Sequence, residues 1–170
     1  FSDQRGTFFR LNLLTEEMEP NYRKEQPLLD VTNLWMEDIN NVARTMANVW
    51  GRSYIAINDA NIVLGRLEEN GGNLSQTARD RLRGQALFIR GYSYYMLVRI
   101  YGGCPIPTTY TQSVQGLEMA REDANNVWER IFADLEEAAG LLPAKGTSGY
   151  DVWRVSQGAC WAALGDAYLY

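Results

Sequence analysis

The chain has 170 residues, 46% hydrophobic and 22% charged, with five Trp, ten Tyr and five Phe, a composition that excludes a solvated tail and supplies one sizeable core. Sixteen basic against 21 acidic residues give a net charge of −5, which excludes a broad electrostatic grip on nucleic acid or anionic lipid. With no His in the sequence, Ser-His-Asp triads, Cys-His dyads, His-ligated zinc and imidazole acid–base chemistry are excluded within this segment.

Residues 1–44 read as a loop-rich segment. Phe8, Phe9, Leu11, Leu13 and Leu14 suggest a short helix, whereas Thr15 to Pro20 and Lys24 to Pro27 read as an acidic loop. Residues 45–170 read as a helical frame. Met46, Trp50, Tyr54, Ile57, Asn61 and Leu64 recur at spacings of three and four from Thr45 to Glu69, and Gly71-Gly72 ends the run. Ser75 is a fitting N-cap for a second helix, closed by Gly102-Gly103 and Pro105. Its stripe is Leu82, Ala86, Ile89, Ser93, Met96 and Ile100. Leu87, Tyr94, Tyr95 and Val98 widen that stripe past half the circumference, so the helix is expected to be covered on most sides.

Asp123 caps a third helix whose Trp128, Ile131, Phe132, Leu135, Ala138, Ala139 and Leu142 share a face before Pro143. Lys145 to Gly149 is turn chemistry, and a fourth helix is expected from about Trp153 onward. Strand signals are scarce, and the fold class is all-α. Trp161-x2-Leu164-Gly165-x2-Tyr168 matches the opening helix of a tetratricopeptide repeat, where Gly permits close approach of a partner helix. Because such a helix needs its partner, the natural chain is expected to continue past Tyr170. Cys104 and Cys160 have no CxxC partner and read as buried small residues, no apolar run reaches membrane-spanning length, and the opening Phe-Ser-Asp-Gln-Arg is no export signal.

Four passages together resemble the SusD/RagB family of surface glycan-binding lipoproteins. They are Trp50-x3-Tyr54-x2-Ile57-x3-Asn61-x2-Leu64; the long signature from Arg83 through Arg90, Tyr94-Tyr95 and Tyr101-Gly-Gly-Cys to Pro105; Arg121 to Pro143; and Arg154-Val-Ser followed by Leu164-x3-Tyr168. The sequence departs from the family pattern at Gln85, usually Glu, at Gly91, usually Ala, and at Cys104, usually a small apolar residue. The resemblance implies a tetratricopeptide-like all-α fold, the N-terminal part of a longer protein truncated at its C-terminus. It also implies an outward-facing location at the outer membrane through a lipid anchor outside this segment, with a glycan ligand and a SusC-like TonB-dependent transporter as partners. It implies no cofactor, no metal and no catalysis.

Adjacent carboxylates at Glu16-Glu17, Glu68-Glu69 and Glu136-Glu137 point about 100° apart on a helix and suit solvated faces better than an acid–base pair. Arg90 sits among apolar neighbours where an unpaired guanidinium is costly, so a buried ion pair is expected; Asp134, at the matching family position, is the candidate partner. Asn58 and Asn61 read as amides bridging helices, and Tyr92, Tyr94, Tyr95 and Tyr101 read as core with hydroxyls reaching polar partners. Trp50, Tyr54, Asn61, Arg90 and Asp134 are accordingly structural. The ligand contacts implied by the resemblance precede the Trp50 helix: Arg10, of the Phe9-Arg10 pair, as hydrogen-bond donor and Tyr22 and Trp35 as stacking platforms, with ordinary packing the competing reading of Trp35. The rival function is a tetratricopeptide-type scaffold that binds a protein and no sugar.

Overall fold

The computed structural model describes residues 39–110 and 118–170, with side chains from residue 47 onward. Four α-helices follow in order: α1 Ile39–Asn70, α2 Gln76–Tyr101, α3 Ala124–Leu141 and α4 Gln157–Ala167. No strand occurs among the described residues. The chain divides inside α1 into two compact units, Phe1–Gly51 and Arg52–Tyr170. Of the first unit, the opening of α1 is described. There Val49 is buried and Trp50 half-buried.

In the second unit the helices run as alternating antiparallel neighbours. Arg79 reaches back to Gly71 and Arg90 to Asn61, which sets α2 antiparallel to α1. Arg83 meets Glu137 and Arg90 meets Asp134, so α3 runs antiparallel to α2. Gln157 bonds Ala139 and Tyr168 bonds Glu136, which returns α4 along α3 and parallel to α2. The core they enclose consists of Ala60, Leu64, Ala86, Leu87, Ala138, Ala139, Leu142 and Cys160, with Phe88, Leu141 and Val155 against it. Each fully buried Leu there contributes roughly 1.5–3 kcal/mol.

The helix limits have local causes. Ser75 Oγ accepts from the Ala78 N–H at the start of α2, and Asp123 accepts from the Asn125 N–H at the start of α3. Gly102 ends α2 at φ 69° and ψ −138°, a positive-φ conformation open to Gly that costs a Cβ-bearing residue about 1–3 kcal/mol.

Three sequence expectations need correction. Helix α1 begins at Ile39, six residues before Thr45 and inside the stretch read as loop. Helix α4 begins at Gln157, not Trp153, because Asp151 closes a turn: its carboxylate accepts from the Trp153 N–H and its carbonyl from the Arg154 N–H. The stripe read for α2 is buried only in part. Ala86 and Ser93 are buried, as are Leu87, Tyr94, Tyr95 and Val98 that widen it, but Leu82 and Ile89 are exposed, and Gly84 and Gly91, left out of it, are buried. Gly84 and Gly91 mark a close approach of α3 and the residue that follows it. A Cβ at Gly84 would stand 2.8 Å from Leu142 Cγ, and one at Gly91 3.1 Å from the Asp134 Cβ.

Candidate functional site

The most strongly connected polar group of the described chain lies where α1, α2 and α3 meet. Arg90 from α2 donates through Nε and Nη2 to the two carboxylate oxygens of Asp134 on α3, each at 2.7 Å, and through Nη1 to Asn61 Oδ1 on α1, also at 2.7 Å. Asp134 is 2% exposed and Arg90 8%. Burial opposes the Arg90 charge, but the hydrogen bond and attraction of Asp134 outweigh it and hold the guanidinium above its ordinary pKa. Arg130, one turn before Asp134, adds a second cation 3.8 Å from the same carboxylate.

Asn61 extends this network to a loop. Its Nδ2 donates to the Pro107 carbonyl at 3.0 Å and the Thr109 carbonyl at 3.5 Å, while the Tyr54 hydroxyl, two turns earlier on the same face of α1, donates to the Pro105 carbonyl at 2.7 Å. Arg121 ties the other side, donating to the Gly103 and Tyr101 carbonyls. Farther along, Tyr110 lies over Gly65, donates to Glu69 and is covered by the Arg66 guanidinium 5.7 Å from its ring centre. Residues 104–110, which carry no regular structure, are thus held by side chains from α1. Burial raises the Tyr54 phenol and, with it, the buried Cys104 thiol above their ordinary values.

A second feature is aromatic. Tyr168 stacks on Phe132 with ring centres 4.4 Å apart, Trp128 stacks on Phe132 at 6.0 Å and Tyr170 on Trp128 at 6.3 Å. Arg99 lies over both Tyr95 and Tyr170, and Tyr95 donates to Asp166. Of the four tyrosines of α2, Tyr94 and Tyr95 are buried, Tyr101 is half-buried and Tyr92 lies at the surface against Phe88. Trp153 differs from all of these. It is 91% exposed on the turn before α4, and its indole has no ring contact or hydrogen bond among the described residues.

Arg10, Tyr22 and Trp35, the ligand-facing candidates, lie outside the described residues. Trp50 is half-buried on α1; Tyr54, Asn61, Arg90 and Asp134 occupy the network above. The exposed turn of Trp153 was concealed by its assignment to a helix. Asp151, two residues before Trp153, is the signal that would have revealed it, since Asp at that spacing bonds its own backbone.

The family model for SusD-like proteins, described as "Starch-binding associating with outer membrane", matches residues 3–169. The chain belongs to the SusD-like family. SusD-like protein P2 of Formosa agariphila is 29% identical over 117 residues, which are 67% of this chain and 22% of that protein. The crystal structure of a SusD superfamily protein from Bacteroides vulgatus superposes with a TM-score of 0.72 at 27% identity, covering 88% of this chain and 31% of that one. A laminarin-binding SusD-like protein shares the fold, with a TM-score of 0.65 at 22% identity over 86% of this chain and 31% of its own. This SusD-like chain therefore spans less than a third of each of these relatives, and it shares the fold of the matched part of the two solved structures.

Proposed function

We propose that the protein of which this chain is part captures glycan at the outer membrane surface and passes it to a SusC-like TonB-dependent transporter without chemical change. The observation that carries the proposal is the extent of the family match. It runs from residue 3 to residue 169 and so takes in both the N-terminal segment holding Arg10, Tyr22 and Trp35 and the helical frame, in a family described as starch-binding. The laminarin-binding neighbour lends support as a protein of the same fold whose ligand is a polysaccharide.

In this reading residues 1–44 supply the ligand-facing side chains. Flat aromatic faces at Tyr22 and Trp35 stack on sugar C–H surfaces, and Arg10 donates to ring hydroxyls. Residues 45–170 form the frame, kept stiff by the Arg90 network. An open aromatic site of this kind gives affinities of about −4 to −8 kcal/mol, weak enough to release the oligosaccharide onward. Anchoring beside the pore, through a lipid outside this segment, raises the local ligand concentration so that a tight site is unnecessary. Trp161, exposed on the tetratricopeptide-type helix α4, and Tyr168, exposed just past its end where it stacks on Phe132, favour a role for that face in docking protein, whether transporter or another partner.

Affinity gels loaded with starch, laminarin, xylan or fructan test the proposal on the full-length protein. Retardation on at least one gel, lost in Arg10→Ala, Tyr22→Ala or Trp35→Ala, is expected. Unchanged retardation in all three variants removes the site assignment. Absence of retardation on every gel removes glycan capture itself.

A further inference from the structure

Trp153 and the turn that carries it have the features of a second carbohydrate contact, separate from the N-terminal segment. The turn is fixed at several points. Tyr150 N–H bonds the Thr147 carbonyl, Arg154 N–H bonds the Asp151 carbonyl, and the Asp151 carboxylate accepts from the Trp153 N–H at 3.0 Å. Val155 packs on the core directly after it. The indole therefore stands in water at the tip of a braced turn, with Val152 also exposed beside it. The braced backbone fixes where the indole is presented, so that binding has the side-chain rotamer to order and not the turn itself.

Polar groups suited to sugar hydroxyls surround the same turn. Arg154 is oriented by the Asp151 carboxylate at 3.4 Å and by Gln85 Oε1 at 3.3 Å, which leaves further N–H groups of its fork available. Gln85 and Arg81 are four residues apart on α2 and share a face. The turn lies against both, since a Cβ at Gly149 would stand 3.4 Å from Arg81 Nη2. Arg81 is half-buried, and its guanidinium makes no hydrogen bond or ion pair among the described residues. A stacking face with a fixed Arg–Asp pair and an unengaged guanidinium nearby offers the combination of apolar surface, donors and acceptors that a pyranose ring presents in return.

We infer that Trp153 is a stacking platform for one pyranose ring of a glycan chain, with Arg81 and Arg154 donating to its oxygen atoms. This inference rests on glycan capture by the full-length protein but not on Arg10, Tyr22 or Trp35. Its test is calorimetric titration of the full-length protein with maltoheptaose, laminariheptaose and an oligogalacturonate of equal length, the last asking whether a sugar carboxylate is preferred at Arg81. Trp153→Ala is expected to weaken at least one probe about five- to tenfold, Trp153→Phe to retain most of the affinity, and Arg81→Gln to weaken the same probe. At 91% exposure Trp153 is replaceable without loss of the fold of this segment. Quenching of Trp153 by acrylamide, taken as the difference between wild type and Trp153→Phe, is expected to fall when the probe binds. The inference is overturned if Trp153→Ala binds every probe that the wild type binds within twofold of the wild type, or if the indole is already shielded in the ligand-free full-length protein. Failure of the wild type to bind any probe overturns this inference together with glycan capture, whereas loss only in the Arg10, Tyr22 or Trp35 variants overturns this inference alone.

Discussion

Replacing Asp134 with Leu removes both oxygens that hold Arg90 and leaves a guanidinium, 8% exposed, with Asn61 Oδ1 as its remaining acceptor among the described residues. Removing one member of a buried ion pair costs about 3–5 kcal/mol, because the survivor stays desolvated. For a domain of this length about 1 kcal/mol shifts the melting temperature by roughly 2–4 °C, so a fall on the order of 10 °C is expected. Arg90→Met should cost a similar amount through the stranded Asp134 carboxylate. The double variant Arg90→Met with Asp134→Leu should recover most of the loss, since an apolar pair needs no charge compensation, the residue being about 1 kcal/mol from the unpaired Asn61 Oδ1. Urea denaturation of the four proteins closes a double-mutant cycle whose expected coupling, the two single losses less that of the double variant, is on the order of 5 kcal/mol or more. In 1 M salt, where the screening length is about 3 Å, the coupling should persist, whereas that of the part-exposed Arg83–Glu137 pair should vanish. A coupling under about 1 kcal/mol that disappears in salt refutes the claim that this pair is a buried junction of three helices.

Gly103→Ala should destabilise by about 2–4 kcal/mol in the same assay, because its Cβ would stand 2.1 Å from the Glu122 carbonyl oxygen with backbone on both sides; a neutral result denies that close approach. Gly140→Ala, where the added Cβ meets open space on α3, should raise stability by about 0.5–1 kcal/mol, and a loss would contradict that helix. The Tyr94 hydroxyl is buried with no hydrogen-bond partner among the described residues, so Tyr94→Phe is expected to leave stability within about 0.5 kcal/mol or to increase it. A loss above about 1.5 kcal/mol would reveal a partner. Burial pushes the Cys160 thiol from 9.0 to about 11 and raises the phenols of Tyr54, Tyr94 and Tyr95. The unfolded chain ionises these groups first, so the stability they contribute is complete below about pH 9 and is lost as pH rises through 11. The urea midpoint should be level from pH 7 to 8.5 and lower at pH 10.5; a midpoint that stays level or rises contradicts their burial.

Much of the frame was legible because its punctuation is local. Ser75, Asp123 and Gly102 mark helix ends through bonds and backbone angles confined to a few residues. The face of α2 was harder to read. Apolar periodicity weighs large side chains, whereas the seam with α3 is set by Gly84 and Gly91, whose lack of a side chain lets Leu142 and Asp134 approach. The three-way junction is legible only in part from sequence: an Arg amid apolar residues demands a partner, but nothing local says that Asn61 also receives its donor and passes the connection to Pro107. The turn at Trp153 was masked by apolar spacing that continues smoothly into α4, while Asp151 ends that continuity through its own backbone. Arg10, Tyr22 and Trp35 rest on resemblance to the family, since side chains that meet a ligand from a loop leave no periodic trace.

The central claim is capture of glycan without chemistry. Its most direct measurement is equilibrium dialysis of the full-length protein against defined oligosaccharides, followed by chromatography of the recovered sugar. The account predicts retention of at least one oligosaccharide at micromolar to millimolar affinity, recovered at its original chain length. Shortened products, or equal sugar on both sides of the membrane for every oligosaccharide, would contradict it.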